Sequence, residues 1–250
     1  MASVFPDGPP LEALSVVLPC YDEEANVERV VREAVAVARA AARSPEVVVV
    51  DDGSRDRTPQ LLEGLAAELP ELRIVRHAAN LGYGAALASG FRAARGAWVF
   101  YTDGDGQFDP AELLPLLPRL RSDRVIVGFR APRSDPPMRV LNGFVWTRLV
   151  DALLGVGVRD VNCAFKLFPK SLLERVPMAS VGAAIDAELL AGARRLGYGI
   201  DEVPVSHRPR VRGRATGAHP RVVLQALVEL RALAAAHRAA PHRLPVASPR

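Results

Sequence analysis

Short runs of consecutive apolar residues recur through the first half of the chain. Each is followed by a stretch in which apolar residues return every three or four positions. Residues 14–18 (LSVVL) form the first run and Pro19 stops it. Over 24–42, Val27, Val30, Val31, Ala34, Val35 and Ala38 then fall on one side of a helix. Residues 46–50 (EVVVV) read as a strand covered on both faces, as in a parallel sheet. A helix at 57–68 follows, with Ser54 or Asp56 as N-cap and its end near Pro70. The same alternation predicts a strand at 72–75, a small-residue helix at 82–94 stopped by Gly96, a strand at 97–102, a helix at 110–120 and a strand at 124–129. Strands alternating with helices over so long a stretch predict a single α/β domain, doubly wound and Rossmann-like. Its sheet is mostly parallel, with helices on both faces.

The second half is less regular. Residues 138–156 carry Leu141, Phe144, Val145, Trp146, Leu149, Val150, Leu153 and Leu154 on one helix, flanked by Arg139 and Arg148. Residues 163–168 and 200–205 run or alternate as strands, and 183–196 and 219–238 read as helices. The division expected is a flexible, Pro-rich lead-in at 1–13, the α/β domain at 14–215, and a C-terminal helix and tail at 216–250.

Composition narrows the class. With 250 residues, 49% of them hydrophobic and 24% charged, the chain can bury roughly three quarters of its unfolded surface without disulfides or a structural metal. Disorder, collagen and disulfide scaffolds are excluded. Net charge is +4, but residues 201–250 hold nine Arg against Asp201, Glu202 and Glu229. That Arg-rich tail suits phosphate or an anionic membrane surface. No helix-turn-helix, finger or RNP-like aromatic set points to nucleic acid. Cys20 and Cys163 lack CxxC spacing, no signal-like segment leads the chain, and no uncharged apolar run approaches a bilayer span. A cytoplasmic protein without a transmembrane segment is expected.

Polar clusters follow three strands, where open α/β sheets bind their ligands. They are Pro19-Cys20-Tyr21-Asp22-Glu23-Glu24, Asp51-Asp52-Gly53-Ser54 and Asp103-Gly104-Asp105-Gly106-Gln107. Turn and cap chemistry explains one such cluster more readily than three on a single rim. Asp103 and Asp105 leave an extended segment on the same side, and two carboxylates so close repel unless a divalent cation joins them. Hard oxygen donors suit Mg²⁺ or Mn²⁺. Gln107 adds a neutral oxygen on that side.

The segments LSVVLPCYDEEAN, VVVVDDGSRDRT, NLGYGAALASG and YTDGDGQFDP, continued by RDVNCAFKLF, IDAELL and EVPVSHRPRVRG, resemble family 2 glycosyltransferases. Among these they are most similar to the dolichyl- and polyprenyl-phosphate mannose or glucose synthase group, over about residues 14–215. The resemblance implies a GT-A fold and a metal-dependent, inverting transfer of a hexose, mannose or glucose. The donor would be a GDP- or UDP-linked sugar and the acceptor a polyprenyl phosphate. It implies that Pro19, Tyr21, Glu23, Asp51 and Asp52, of which Asp52 is the better match, contact base and ribose. Asn80, Gly82 and Gly84 would shape a loop near the donor. Asp103, Asp105 and Gln107 would hold Mg²⁺ or Mn²⁺ and the diphosphate. Arg130, Arg210 and Arg212 would guide acceptor phosphate, with Arg133 and Arg208 as lesser candidates; His207, after a strand, is placed either near the diphosphate or in a structural hydrogen bond. Asp105, Asp160, Asp186 and Glu188 are the catalytic candidates. Asp186 and Glu188 are equally well placed to favour a helix start, and Asn162-Cys163-Ala164-Phe165 replaces the usual Ser-Gly-Phe after Asp160.

A phosphate monoester is largely dianionic at neutral pH, so such an acceptor needs no strong protein base. A family member acting on a saccharide would need one, with Asp160 or Asp186 as the candidate. A non-catalytic nucleotide-binding scaffold is the alternative from another class. A polyprenyl acceptor lies in the membrane, so peripheral attachment to the inner face of the plasma membrane is expected. The 138–156 helix is the first candidate for the interface, and the 219–238 helix is either core-facing or a second one. Oligomeric state is left open by the sequence.

Overall fold

The fold comes from a computed structural model in which residues 10–209 and 220–239 are described. β1 (Leu11–Cys20), β2 (Ala42–Asp51), β3 (Leu72–Arg76) and β4 (Trp98–Thr102) pair in parallel, in the order β3-β2-β1-β4. The sheet continues through β6 (Phe165–Pro169), β5 (Arg124–Arg130) and β7 (Gly199–Val205) to seven strands. β6 alone runs antiparallel, between β4 and β5. The helices are α1 (Val27–Ala41), α2 (Thr58–Glu68), α3 (Tyr83–Ala93), α4 (Pro137–Leu154), the single-turn α5 (Lys170–Leu173), α6 (Ile185–Arg195) and α7 (Pro220–Ala239).

The reasons are local. Val47 to Val50 are fully buried, so both faces of β2 are covered, each Val contributing about 1.5–3 kcal/mol of burial. A Cβ on Gly90 would lie 2.4 Å from Val17 Cγ1; the small-residue character of α3 lets the helix sit directly on β1. Register sets the rim: Cys20 pairs with Asp51 and Val17 with Tyr101, so the polar ends of β1, β2 and β4 emerge side by side. A Cβ on Gly104 would come within 2.6 Å of Cys20 Sγ and 2.8 Å of the Pro19 carbonyl. Glycine is what lets the Asp103–Asp105 loop lie against the end of β1.

Three expectations are corrected. β1 begins at Leu11 and pairs from there with Ala42, so 11–13 belong to the sheet, while residues 1–9 lie outside the described part. The segment Pro110–Arg119 is a 3₁₀ helix, because Pro115 and Pro118 remove amide donors that an α-helix would use. Helix α2 starts at Thr58, whose amide Asp56 accepts at 2.9 Å, while Ser54 Oγ is engaged by the Asp22 amide.

Candidate active site

Asp103 leaves β4 against the start of α3, and its Oδ1 accepts a hydrogen bond from the Tyr83 hydroxyl at 3.0 Å. Asp105 Oδ1 accepts from the Gln107 amide at 3.0 Å. Burial, and then the like charge of Asp105, push the Asp103 carboxyl up to about 7. Two converging carboxylates, one so strongly destabilised as an anion, are a donor set that a hard divalent cation would neutralise. Among the described residues no group of three or more His, Cys, Asp and Glu side chains is arranged to hold a metal ion. A cation held by Asp103 and Asp105 would therefore take its remaining ligands from Gln107, water or substrate oxygens. Gln107 is differently employed from expectation. Its Nε2 donates to the Arg208 carbonyl at 3.1 Å and its own carbonyl accepts from the Arg208 amide at 2.8 Å. It pins the chain leaving β7 to this loop, and Oε1 is the atom by which it would reach a cation.

The nucleotide-contact candidates divide. Pro19 and Tyr21 stand at the end of β1. Glu23 is buried, accepts from Asn26 Nδ2 at 2.7 Å, and through its amide engages Thr58 Oγ1 at 2.9 Å. Asp52 was the better sequence match, but its oxygens are committed internally. Oδ1 takes the Leu81 amide at 2.9 Å and His77 Nδ1 at 2.7 Å, and Oδ2 takes the Gly82 amide at 2.9 Å. Asp52 therefore shapes the loop carrying Asn80 and Gly82. Asp51 is less fully hydrogen-bonded: Oδ1 takes the Ser54 amide, while buried Oδ2 accepts no hydrogen bond and is ion-paired with Arg76 Nε at 3.3 Å. Gly82 adopts φ +104°, and a Cβ there would strike the Val181 carbonyl at 2.5 Å.

Asp186 and Glu188 do not face the rim as bases. Asp186 accepts from the Tyr101 hydroxyl and, at 2.7 Å, from Lys166 Nζ, a side chain with no exposure at all. Glu188 accepts the amides of Ala179 (2.9 Å) and Ser180 (2.8 Å), holding the loop whose Val181 carbonyl takes the Gly84 amide at 2.8 Å. Asp160 is also engaged: Arg130 binds it in bidentate fashion, Nε and Nη2 both at 2.7 Å.

Asp135 is the residue that the sequence reading missed. Its carboxylate accepts from Arg130 (3.3 Å), Arg133 (3.1 Å) and Arg139 (3.3 Å), and His207 Nδ1 lies 4.0 Å away. Three guanidinium groups against Asp135 and Asp160 leave one positive charge in excess at the start of α4. His207 bridges the two halves of the site, feeling the charges of Asp135, Arg130 and Arg133 on one side and Asp105 on the other; burial lowers its pKa. Asp135 stands in S-D-P-P, and the sequence signal for it is its spacing of four from Arg139 and five from Arg130. Arg210 and Arg212 lie outside the described residues.

Burial alone would raise the Asp160 pKa, but the Arg130 hydrogen bonds and charge outweigh it and hold the carboxyl below its usual range. Stability from a depressed carboxyl is present above the unfolded pKa of about 3.9 and is lost as pH falls through the folded value. Asp160→Asn is thus expected to cost about 3 kcal/mol at pH 7, and the gap to wild type should narrow below about pH 3.9. Urea unfolding at both ends of that range checks it.

Residues 15–176 match the family model for glycosyl transferase family 2. The chain belongs to that family. It is 35% identical over 168 residues to an undecaprenyl-phosphate 4-deoxy-4-formamido-L-arabinose transferase of Pseudomonas paraeruginosa, covering 66% of this chain and 49% of that one. It is 31% identical over 208 residues to a dolichyl-phosphate beta-glucosyltransferase of Trichomonas vaginalis, covering 77% and 64%. The chain thus spans about half to two thirds of the length of these relatives. A solved structure of glucosyl-3-phosphoglycerate synthase from Mycobacterium tuberculosis superposes with a TM-score of 0.71 at 22% identity, over 90% of this chain and 80% of that one. That similarity establishes the GT-A fold of this family 2 chain.

Proposed function

We propose that this family 2 glycosyltransferase moves a sugar from a nucleotide diphosphate to a polyprenyl phosphate, with inversion. The observation that carries the reading is the state of the base candidates. Asp160 is neutralised by Arg130 and Asp186 by Lys166, so neither is set up to take a proton from a neutral hydroxyl. An acceptor phosphate brings a ready nucleophile and needs no such base. The two relatives named above act on undecaprenyl and dolichyl phosphates, and the mycobacterial synthase was solved with Mn²⁺ and UDP.

Within this reading Asp103 and Asp105 would hold Mg²⁺ or Mn²⁺, which as a Lewis acid lowers the cost of the departing diphosphate's charge. Asp51 Oδ2, at the foot of the rim, would receive a donor from base or ribose. Asp52 and Glu188 shape the loops around the donor. The excess positive charge of the Arg130, Arg133 and Arg139 group would draw the acceptor phosphate, guanidinium groups binding its oxygens in pairs. Expected of the wild type with Mn²⁺ or Mg²⁺, labelled UDP- or GDP-hexose and polyprenyl phosphate in detergent is label entering the organic phase. Donor turnover with no lipid labelling would overturn the acceptor assignment.

The same reading calls for contact with the bilayer. No described helix is long and apolar enough to cross a membrane. Helix α4 nevertheless exposes Met138, Leu141, Phe144 and Val145, beside the arginine group. Helix α7 packs against it and exposes Val223, Leu224, Leu227 and Val228, while Ala226, Leu230 and Ala234 face the core. Both helices would lie in the interface, so α7 has a core face and a lipid face. Replacing Phe144 and Leu227 together by Asp is expected to weaken vesicle binding about tenfold or more. UDP binding should be unchanged, as co-sedimentation and calorimetry would show.

A further inference from the structure

The end of β4 rests on a buried polar network that no ligand-contacting role requires. Tyr101, near the end of β4, lies two residues before Asp103, which follows the strand. Across the antiparallel pairing, Tyr101 is opposite Lys166. Lys166 Nζ uses its three donors on the Tyr101 hydroxyl (2.9 Å), the Cys163 carbonyl (2.6 Å) and Asp186 Oδ1 (2.7 Å). Tyr101 donates to Asp186. The Tyr83 hydroxyl donates to Asp103 Oδ1 at 3.0 Å. Tyr83 is the first residue of α3, and the loop before it is tied down by Asp52 through the amides of Leu81 and Gly82.

Resting on the cation role given to Asp103 above, we propose that Tyr83 is a positioning residue for that carboxylate. Its hydroxyl, carried by the first residue of α3 behind the Asp52-held loop, locks Asp103 by Oδ1 and leaves Oδ2 for the divalent cation. A side-chain donor set at a tethered helix start and bonded to one carboxylate oxygen is an arrangement by which a protein orients a ligand to a metal. Partners of this kind are worth about 10–100-fold in metal affinity.

The test is Mn²⁺ binding, read by electron paramagnetic resonance of the free ion with and without UDP or GDP, on wild type, Tyr83→Phe, Asp103→Asn and the double variant. Tyr83→Phe is expected to weaken Mn²⁺ by about tenfold or more, with metal-free nucleotide affinity and the melting temperature little changed. In the Asp103→Asn background the same substitution should have no further effect, because the hydroxyl would act only through that carboxylate. Unchanged Mn²⁺ affinity in Tyr83→Phe overturns the proposal, and so does an equal loss in both backgrounds. A wild type that binds no Mn²⁺ with either nucleotide overturns it together with the cation assignment. Normal Mn²⁺ behaviour without sugar transfer would remove the transfer reading and leave the role of Tyr83 standing.

Discussion

Asp105→Asn is expected to lower sugar transfer by about 10³-fold while leaving the fold intact. The magnitude is that of removing one fixed electrostatic partner from a developing charge, compounded here by loss of a cation ligand. The fold should survive because Asn keeps an oxygen to accept the Gln107 amide, the one hydrogen bond given above for Asp105. Stability should even move the other way. The charge of Asp105 is a cause, after burial, of the raised Asp103 pKa, so removing it relieves a like-charge repulsion in the metal-free protein. The melting temperature without metal should therefore equal or exceed that of wild type, and the stabilisation that Mn²⁺ gives the wild type should shrink. A variant that keeps its rate within tenfold would sink the cation assignment. Thermal melts with and without Mn²⁺, alongside radiolabel transfer, decide both halves.

Opposite effects on activity and stability fit a rim whose carboxylates converge at a cost to the empty protein. They also show why that rim was readable. The strands that carry it are runs such as 46–50, where four valines leave no choice of face, and each run ends in acidic and glycine residues that no core would take. Register then does the rest, because parallel neighbours of equal reach put their ends level.

What the sequence did not show is which carboxylates would be used up inside. Asp51 and Asp52 are adjacent and chemically identical. Only the path of residues 77–82, which brings two amides and His77 onto Asp52, separates them. Asp160 and Arg130 were assigned separate tasks and are in fact partners, as are Asp186 and Lys166. Such pairings are set by β6 running antiparallel between β4 and β5, and an apolar run carries no mark of its direction. The apolar outer face of α7 was legible as residues but not as exposure, since a helix with apolar groups on two sides does not say which one the core takes.

One signal lies in the choice between lysine and arginine. Of 32 basic residues only Lys166 and Lys170 are lysine, and the structure places both ammonium groups on internal acceptors. Lys170 donates to the Phe91 carbonyl at 2.6 Å, and Lys166 has the three acceptors already described. A compact ammonium with three donors suits such a slot, whereas a planar guanidinium with five does not. In a chain so committed to arginine, each lysine marks a place where arginine does not fit.

Lys166→Met is accordingly expected to cost about 3–5 kcal/mol of stability, the usual effect of removing one partner from a fully buried pair. The loss is not that of a salt bridge alone. Methionine fills the volume but leaves Asp186 charged, buried and short of a donor, and strips Tyr101 and the Cys163 carbonyl of theirs. If the uncompensated charge dominates, adding Asp186→Asn should recover about 1–3 kcal/mol, since the amide is neutral and still offers Tyr101 an acceptor. If lost packing dominated, the second substitution would add its own cost and the two effects would sum. Urea unfolding of the two single variants and the double variant separates these. Additive losses would show that the pair is not coupled, and would leave the hydrogen bonds from Lys166 to Tyr101 and Cys163 as the interactions that matter under β4.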